Sequence, residues 1–201
     1  MKVLTIILML VLILFPGKMP CYGQSNYEMA ADYSFIISGS SNIRDWMESA
    51  DDADGIASIT RIDDLHFDIN EVRILIRTNA IKSIGVEGNA MNKKTYETLK
   101  TDRYPTIIFM ITSPVRPVVA DGKKRFIEAA GMLTVAGVTK VIRIHPTIWA
   151  DQQGRITTEG DVFLKMSDFA IDPPTTLFGL LNVRDDITVH FKMSLIPADN
   201  Y

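Results

Sequence analysis

The chain has 201 residues, 24 acidic against 21 basic, a formal net charge of −3 and a single cysteine. That length suits one domain with a sizeable core. The mild acidic excess argues against a nucleic-acid partner and against electrostatic docking on anionic lipid, and one cysteine excludes an intrachain disulfide framework.

At the N-terminus, Lys2 precedes a largely apolar run, Val3 to Phe15. It is shorter than the roughly 20 residues a bilayer span needs. A basic start, a short apolar core and a polar flank predict a signal peptide over residues 1–23, cleaved before Gln24. A retained anchor is the alternative that this length disfavours. Lys18-Met19-Pro20 does not suit a lipoprotein cleavage site, so Cys21 is expected to leave with the leader. The mature chain, residues 24–201, is then one domain without cysteine. Its charge becomes −5, because Lys2 and Lys18 depart and no acid does. An exported, periplasmic protein is the expectation, or a secreted one where there is no outer membrane. No second transmembrane run, internal repeat or long linker divides the chain.

Along the mature chain, period-two alternation dominates and predicts strands with one buried face. Tyr33–Ser38 is a short first strand, and Asp54-Gly55 signals a turn before Gly55–Arg61. In Asn70–Thr78, Val72, Ile74 and Ile76 point one way and Arg73 and Arg77 the other. Asn92–Thr101 lacks alternation and predicts the one helix, capped by Asn92 and ended before Tyr104-Pro105. That helix is expected to cover an opening or an edge of the sheet. Thr106–Thr112 then carries Ile107, Phe109 and Ile111 on one face. Arg125–Ala136 follows the Asp121-Gly122 turn and offers Leu133 and Val135. Val138–Ala150 offers Ile142 and Ile144. Arg155–Met166 follows the Gln153-Gly154 turn with Val162 and Leu164. Asp186–Leu195 lines Ile187, Val189, Phe191 and Met193 against Thr188, His190, Lys192 and Ser194. About eight strands with short turns and no βαβ crossover predict an all-β, antiparallel closed barrel or sandwich.

Searches for chemistry fail in informative ways. Asp52-Ala53-Asp54-Gly55 starts like a calcium loop, but Ala50 and Arg61 stand where an EF-hand needs acids, so a polar hairpin turn is expected there. Gly137-Val138-Thr139-Lys140 lacks a phosphate loop's glycine spacing and precedes a strand, so it reads as a tight hairpin. His66, His145 and His190 form no short-spaced ligand pair. No nucleophile elbow is present. Asp63-Asp64 and Asp185-Asp186 are adjacent and would point to opposite faces of a strand, which makes them poor acid/base dyads. Lys123-Lys124-Arg125 reads as a solvated hairpin tip, with a weak contact to lipid head groups as the runner-up. A non-enzymatic role, without metal or catalytic residues, is therefore expected.

Four segments resemble the YceI-like family of exported barrels. They are Ser40-Ser41-Asn42-Ile43-Arg44-Asp45-Trp46, Tyr104-Pro105-Thr106-Ile107-Ile108-Phe109, the decapeptide Gly131 to Lys140, and Met166-Ser167-Asp168-Phe169-Ala170-Ile171. In the last of these the family's usual glycine is Ala170. The decapeptide is the most specific, and the four in order cover most of residues 33–195. The resemblance implies an eight-stranded, lipocalin-like antiparallel barrel with one short helix near its mouth, export to the periplasm and, in some members, a polyisoprenoid inside the barrel. Isoprenoid quinones and polyprenols are the ligands it suggests. A homodimer and transient membrane contact are further expectations.

A barrel of about eight strands either fills with its own side chains or holds one small ligand. The predicted inward residues are Val72, Ile74, Ile76, Ile107, Phe109, Ile111, Leu133, Val135, Ile142, Ile144, Val162, Leu164, Ile187, Val189, Phe191 and Met193. They offer no convergent polar group, so only an apolar tail suits them. The leading expectation is non-catalytic carriage or storage of an isoprenoid or similar amphiphilic lipid in the cell envelope. The alternative is a structural or interaction barrel, blocked by Phe109, Phe163 or Phe191. An enzyme would require two of Arg143, His145 and His190 to face inward.

Overall fold

The structure, a computed structural model, describes residues 23–85, 88–176 and 180–198. Of the expected leader, residues 1–22 lie outside the described residues. The alternating segments form strands β1 (Gln24–Met29), β2 (Ser34–Ser41), β3 (Asp45–Ala50), β4 (Ala53–Arg61), β5 (His66–Arg77), β6 (Ile81–Ser83), β7 (Thr106–Ile111), β8 (Val115–Val119), β9 (Arg125–Phe126), β10 (Ala129–Val135), β11 (Val138–Ile144), β12 (Thr147–Ala150), β13 (Ile156–Lys165), β14 (Thr175–Thr176) and β15 (Leu181–Pro197). One helix, α1 (Gly88–Leu99), lies between β6 and β7. Among the described residues no helix is long and apolar enough to cross a membrane.

Neighbours in sequence pair antiparallel through β4–β5, β5–β7, β7–β10, β10–β11, β12–β13 and β13–β15. The last long strand then returns to the first segments, β1 and β2. The expected strands are cut into shorter pieces at bends. Pro146 shows the cause: it has no N–H to give a ladder, and β11 ends two residues before β12 begins. Beyond that bend β11 pairs with β10 alone, and no ladder joins it to β13 among the described residues.

Three local expectations need correction. Asp54-Gly55 is not a turn but the start of β4, and the bend falls at Asp51-Asp52. Gly55 is required there by contact, since a Cβ would lie 2.7 Å from Ile74 Cδ1 and 2.9 Å from Met29 Cβ. The helix runs Gly88–Leu99 rather than Asn92–Thr101, because Lys100 turns left-handed at φ 53°. Asn92 caps nothing in the helix. Its Oδ1 accepts the Ser83 amide of β6 at 2.7 Å, which ties α1 to the sheet. Of the methionines expected in strands, Met166 instead opens a 3₁₀ turn, Met166–Phe169.

Two turns carry the family-like segments. Ala136-Gly137 joins β10 to β11 as the tight hairpin expected, with φ 48° and 82°, the pattern of a two-residue turn matched to strand twist. After the 3₁₀ turn, Ala170 takes φ 54° while its amide bonds back to Ser167 O at 3.1 Å. A left-handed alanine costs about 1 kcal/mol that glycine does not incur. Ala170→Gly is therefore expected to raise stability by up to about 1 kcal/mol, read as a higher urea midpoint with an unchanged slope.

Within the sheet, buried residues form two groups. Phe35, Ile59, Phe67, Ile69, Ile74, Val118, Ile148, Ile156 and Leu195 belong to the larger. Ala136, Met166, Phe169 and Ile171 make the smaller, against which Trp46 and Leu99 pack.

Candidate functional site

Between these groups lies a cavity of about 970 Å³, within the size range of ligand pockets. Strand register explains its walls. Residues directly opposite one another share a face, so Ile74, Phe109 and Leu133 form one inward row across β5, β7 and β10. Val162, Val189 and Ile37 form another across β13, β15 and β2. Ile76 pairs with Ile107, and Gly131 with Ile111 and Ile142. Every residue predicted to face inward lines the cavity: Val72, Ile74, Ile76, Ile107, Phe109, Ile111, Leu133, Val135, Ile142, Ile144, Val162, Leu164, Ile187, Val189, Phe191 and Met193.

The aromatic residues do not plug it, for a reason visible in the glycines. A Cβ on Gly131 would lie 2.2 Å from Phe109 Cε2, and one on Gly39 would lie 2.3 Å from Trp46 Cζ2. Phe191 lies over Gly160 less tightly, where a Cβ would make an ordinary contact with the ring at 3.4 Å. Each ring lies against a bare stretch of backbone on the neighbouring strand, an arrangement that pins register. Phe163 faces out, 77% exposed. Met110 and Met132 also face out, whereas Met166 and Met193 line the cavity.

The polar lining gathers at one end, beneath α1. Ala90, Met91, Lys93, Lys94, Thr95, Glu97, Thr98 and Leu99 of the helix line the cavity there, with Arg44 and Lys165. Eight residues of α1 thus form part of the cavity wall.

Glu48 is the group that sequence reasoning missed. It stands on the inner face of β3, opposite Ile37 of β2 and Ser83 of β6, and is only 5% exposed. Its Oε1 accepts the Thr95 hydroxyl of α1. Burial pushes its pKa above the ordinary carboxylate value, and the Thr95 bond pulls the other way without offsetting it. The signal that could have found it is the face it shares with Trp46 and Ala50, since Met47 between them is exposed. An acid whose pKa is raised on folding binds its proton more tightly in the native state. It therefore lowers stability as pH rises from its unfolded value through its folded one. Relative to the native chain, Glu48→Gln is expected to gain stability between about pH 4 and neutrality, measured as paired urea midpoints at both ends of that range.

Other candidates for chemistry stay apart. His190 faces outward, between Ser38 Oγ at 3.1 Å and Asp161 Oδ1 at 2.7 Å. Arg143 and His145 are exposed on the outer face, and His66 bonds to Asp63 at 2.8 Å. The basic tip is engaged with protein. Arg125 makes a forked pair with Asp121 at 2.7 Å, holding that carboxyl well below its usual range. Lys124 reaches Glu159 at 2.5 Å and lies over the Trp149 ring at 4.4 Å.

The YceI-like domain family model matches residues 36–195. No curated protein matches the chain. Among solved structures, a polyisoprenoid binding domain from Saccharophagus degradans superposes with a TM-score of 0.66 at 15% identity, covering 86% of this chain and 98% of that one. BcnA of Burkholderia cenocepacia superposes with a TM-score of 0.58 at 14% identity, over 82% and 96% of the two chains. A YCEI protein of Campylobacter jejuni reaches 0.53 at 17% identity, over 76% and 85%. At these identities the likeness is one of fold.

Proposed function

The chain belongs to the YceI-like family, and on that premise we propose that it binds the apolar chain of a polyisoprenoid, such as an isoprenoid quinone or polyprenol, inside its barrel. The observation that carries this reading is the cavity of about 970 Å³, walled by aliphatic side chains and by rings laid against glycine. It favours a ligand-holding lumen over a barrel packed with its own side chains. The polyisoprenoid binding domain that shares the fold supports the same ligand class.

The architecture that serves this function is read as eight bent strands: β1–β2, β3–β4, β5–β6, β7–β8, β9–β10, β11–β12, β13 and β15. Such a barrel is wide enough for one small ligand. Burial of an isoprenoid chain contributes roughly 25 cal/mol for each Å² taken from water. Transfer from a bilayer exchanges hydrocarbon for hydrocarbon, so loading and unloading need no energy source. That suits carriage or storage in the cell envelope by an exported protein, residues 24–201 after loss of the leader.

Native mass spectrometry of the protein, purified without detergent from the compartment that receives it, tests the reading. A discrete added mass, extractable into organic solvent and identified as an isoprenoid, is expected. A bare mass that stays bare after incubation with isoprenoid quinones and polyprenols would favour a structural or interaction barrel.

A further inference from the structure

The lumen is apolar along its walls but not at its end. Glu48 shares an inward row with Val189 and Ile37, and one step along β3 Trp46 shares a row with Leu164, Ile187 and Gly39. Both residues line the cavity. The Trp46 indole Nε1 is fully buried and donates to no atom among the described residues. Glu48 Oε1 accepts the Thr95 hydroxyl. Buried indole N–H groups and carboxyls are ordinarily satisfied. Here a donor and a carboxyl, two residues apart on one strand, border the same apolar space.

Resting on the lumen reading above, we infer that Glu48 and Trp46 form the head-group pole of the site, and that the head they take is uncharged and bears a hydroxyl or carbonyl oxygen. A carbonyl oxygen can accept from the indole N–H, and a hydroxyl can donate to the carboxyl. An anionic head fits badly, because Glu48 either repels it as a carboxylate or gives it only a neutral hydrogen bond. Four cations, Arg44, Lys93, Lys94 and Lys165, line the same cavity, and two of them face an acid. Lys94 lies 3.9 Å from Glu97, and Lys165 lies 3.4 Å from Asp186. The ligand therefore lies with its oxygen-bearing end beneath α1 and its chain running among the aliphatic walls.

The chain has two tryptophans, and Trp149 is not among the cavity-lining residues. That makes the orientation measurable. In W149F, a short-chain isoprenoid quinone is expected to quench Trp46 emission strongly, while in W46F the same quinone should leave Trp149 emission little changed. Glu48→Leu is expected to weaken a polyprenol about tenfold and to leave a headless isoprenoid hydrocarbon unaffected. Glu48→Gln, which keeps an acceptor at the same place, should lose less polyprenol affinity than Glu48→Leu. Thermal melts of each variant separate lost binding from lost folding. Equal weakening of the hydrocarbon, tighter binding of a polyprenyl diphosphate than of the polyprenol, or stronger quenching of Trp149 than of Trp46 would each overturn the inference and leave the lumen reading standing. Failure of the native chain to bind any of these isoprenoids would remove the lumen reading and this inference together.

Discussion

Val162→Trp is expected to abolish isoprenoid binding while the barrel stays folded. Val162 sits opposite Val189 in the inward row of β13 and β15 and lines the cavity. Enlarging a side chain in a packed core costs about 1–3 kcal/mol. Beside a cavity of about 970 Å³ the indole has space to enter, so the cost should fall below that range. Occupying the lumen removes the surface a lipid chain would cover, and at roughly 25 cal/mol per Å² the displaced contact is worth far more than a factor of ten in affinity. The check is paired: lipid recovered per mole of purified protein, and the melting temperature. Loss of lipid with a preserved melt is the expected result. Undiminished lipid content would place the ligand elsewhere on the molecule.

Gly131→Ala is expected to damage both fold and binding. The added methyl would sit 2.2 Å and 2.4 Å from ring atoms of Phe109 and 2.8 Å from the Met110 carbonyl oxygen. The ring can swing away only into the lumen, and the backbone oxygen cannot swing at all. Overpacking of this kind costs about 2–3 kcal/mol, a fall of roughly 5–10 °C in melting temperature for a domain of this size. The displaced ring would also narrow the cavity. Phe109→Ala in the same chain should restore part of the stability, because the two residues are in contact and their effects couple. A double variant that melts as low as the sum of the single changes would show that the ring and the glycine do not interact.

What the sequence makes legible here follows from periodicity. In β5, β7, β10, β11, β13 and β15, alternation assigned the face of each side chain, and each predicted residue reached the cavity. Alternation is a property of the backbone pleat, so it survives without knowledge of strand partners. Bends do not. Asp51-Asp52 and His145-Pro146 split strands where two ladders diverge, and the divergence depends on partners far away in sequence. The Asp54-Gly55 pair shows the same limit: a common turn dipeptide lies inside β4 because Met29 and Ile74 crowd against it. Glu48 was illegible for another reason. Hydrophobicity suggests Met47 as the inward residue of Trp46-Met47-Glu48, yet Trp46 laid over Gly39 fixes the phase of β3 and turns the carboxyl inward. Its partner, Thr95, comes from a helix 47 residues away.

The central claim, that the barrel lumen holds an isoprenoid chain, is tested most directly by a crystal structure of the protein carrying the lipid with which it purifies. Continuous density running from beside Glu48 and Trp46 along Phe109 and Phe191 is the predicted result. A lumen filled by collapsed side chains or ordered water, with lipid confined to the outer surface, would contradict it.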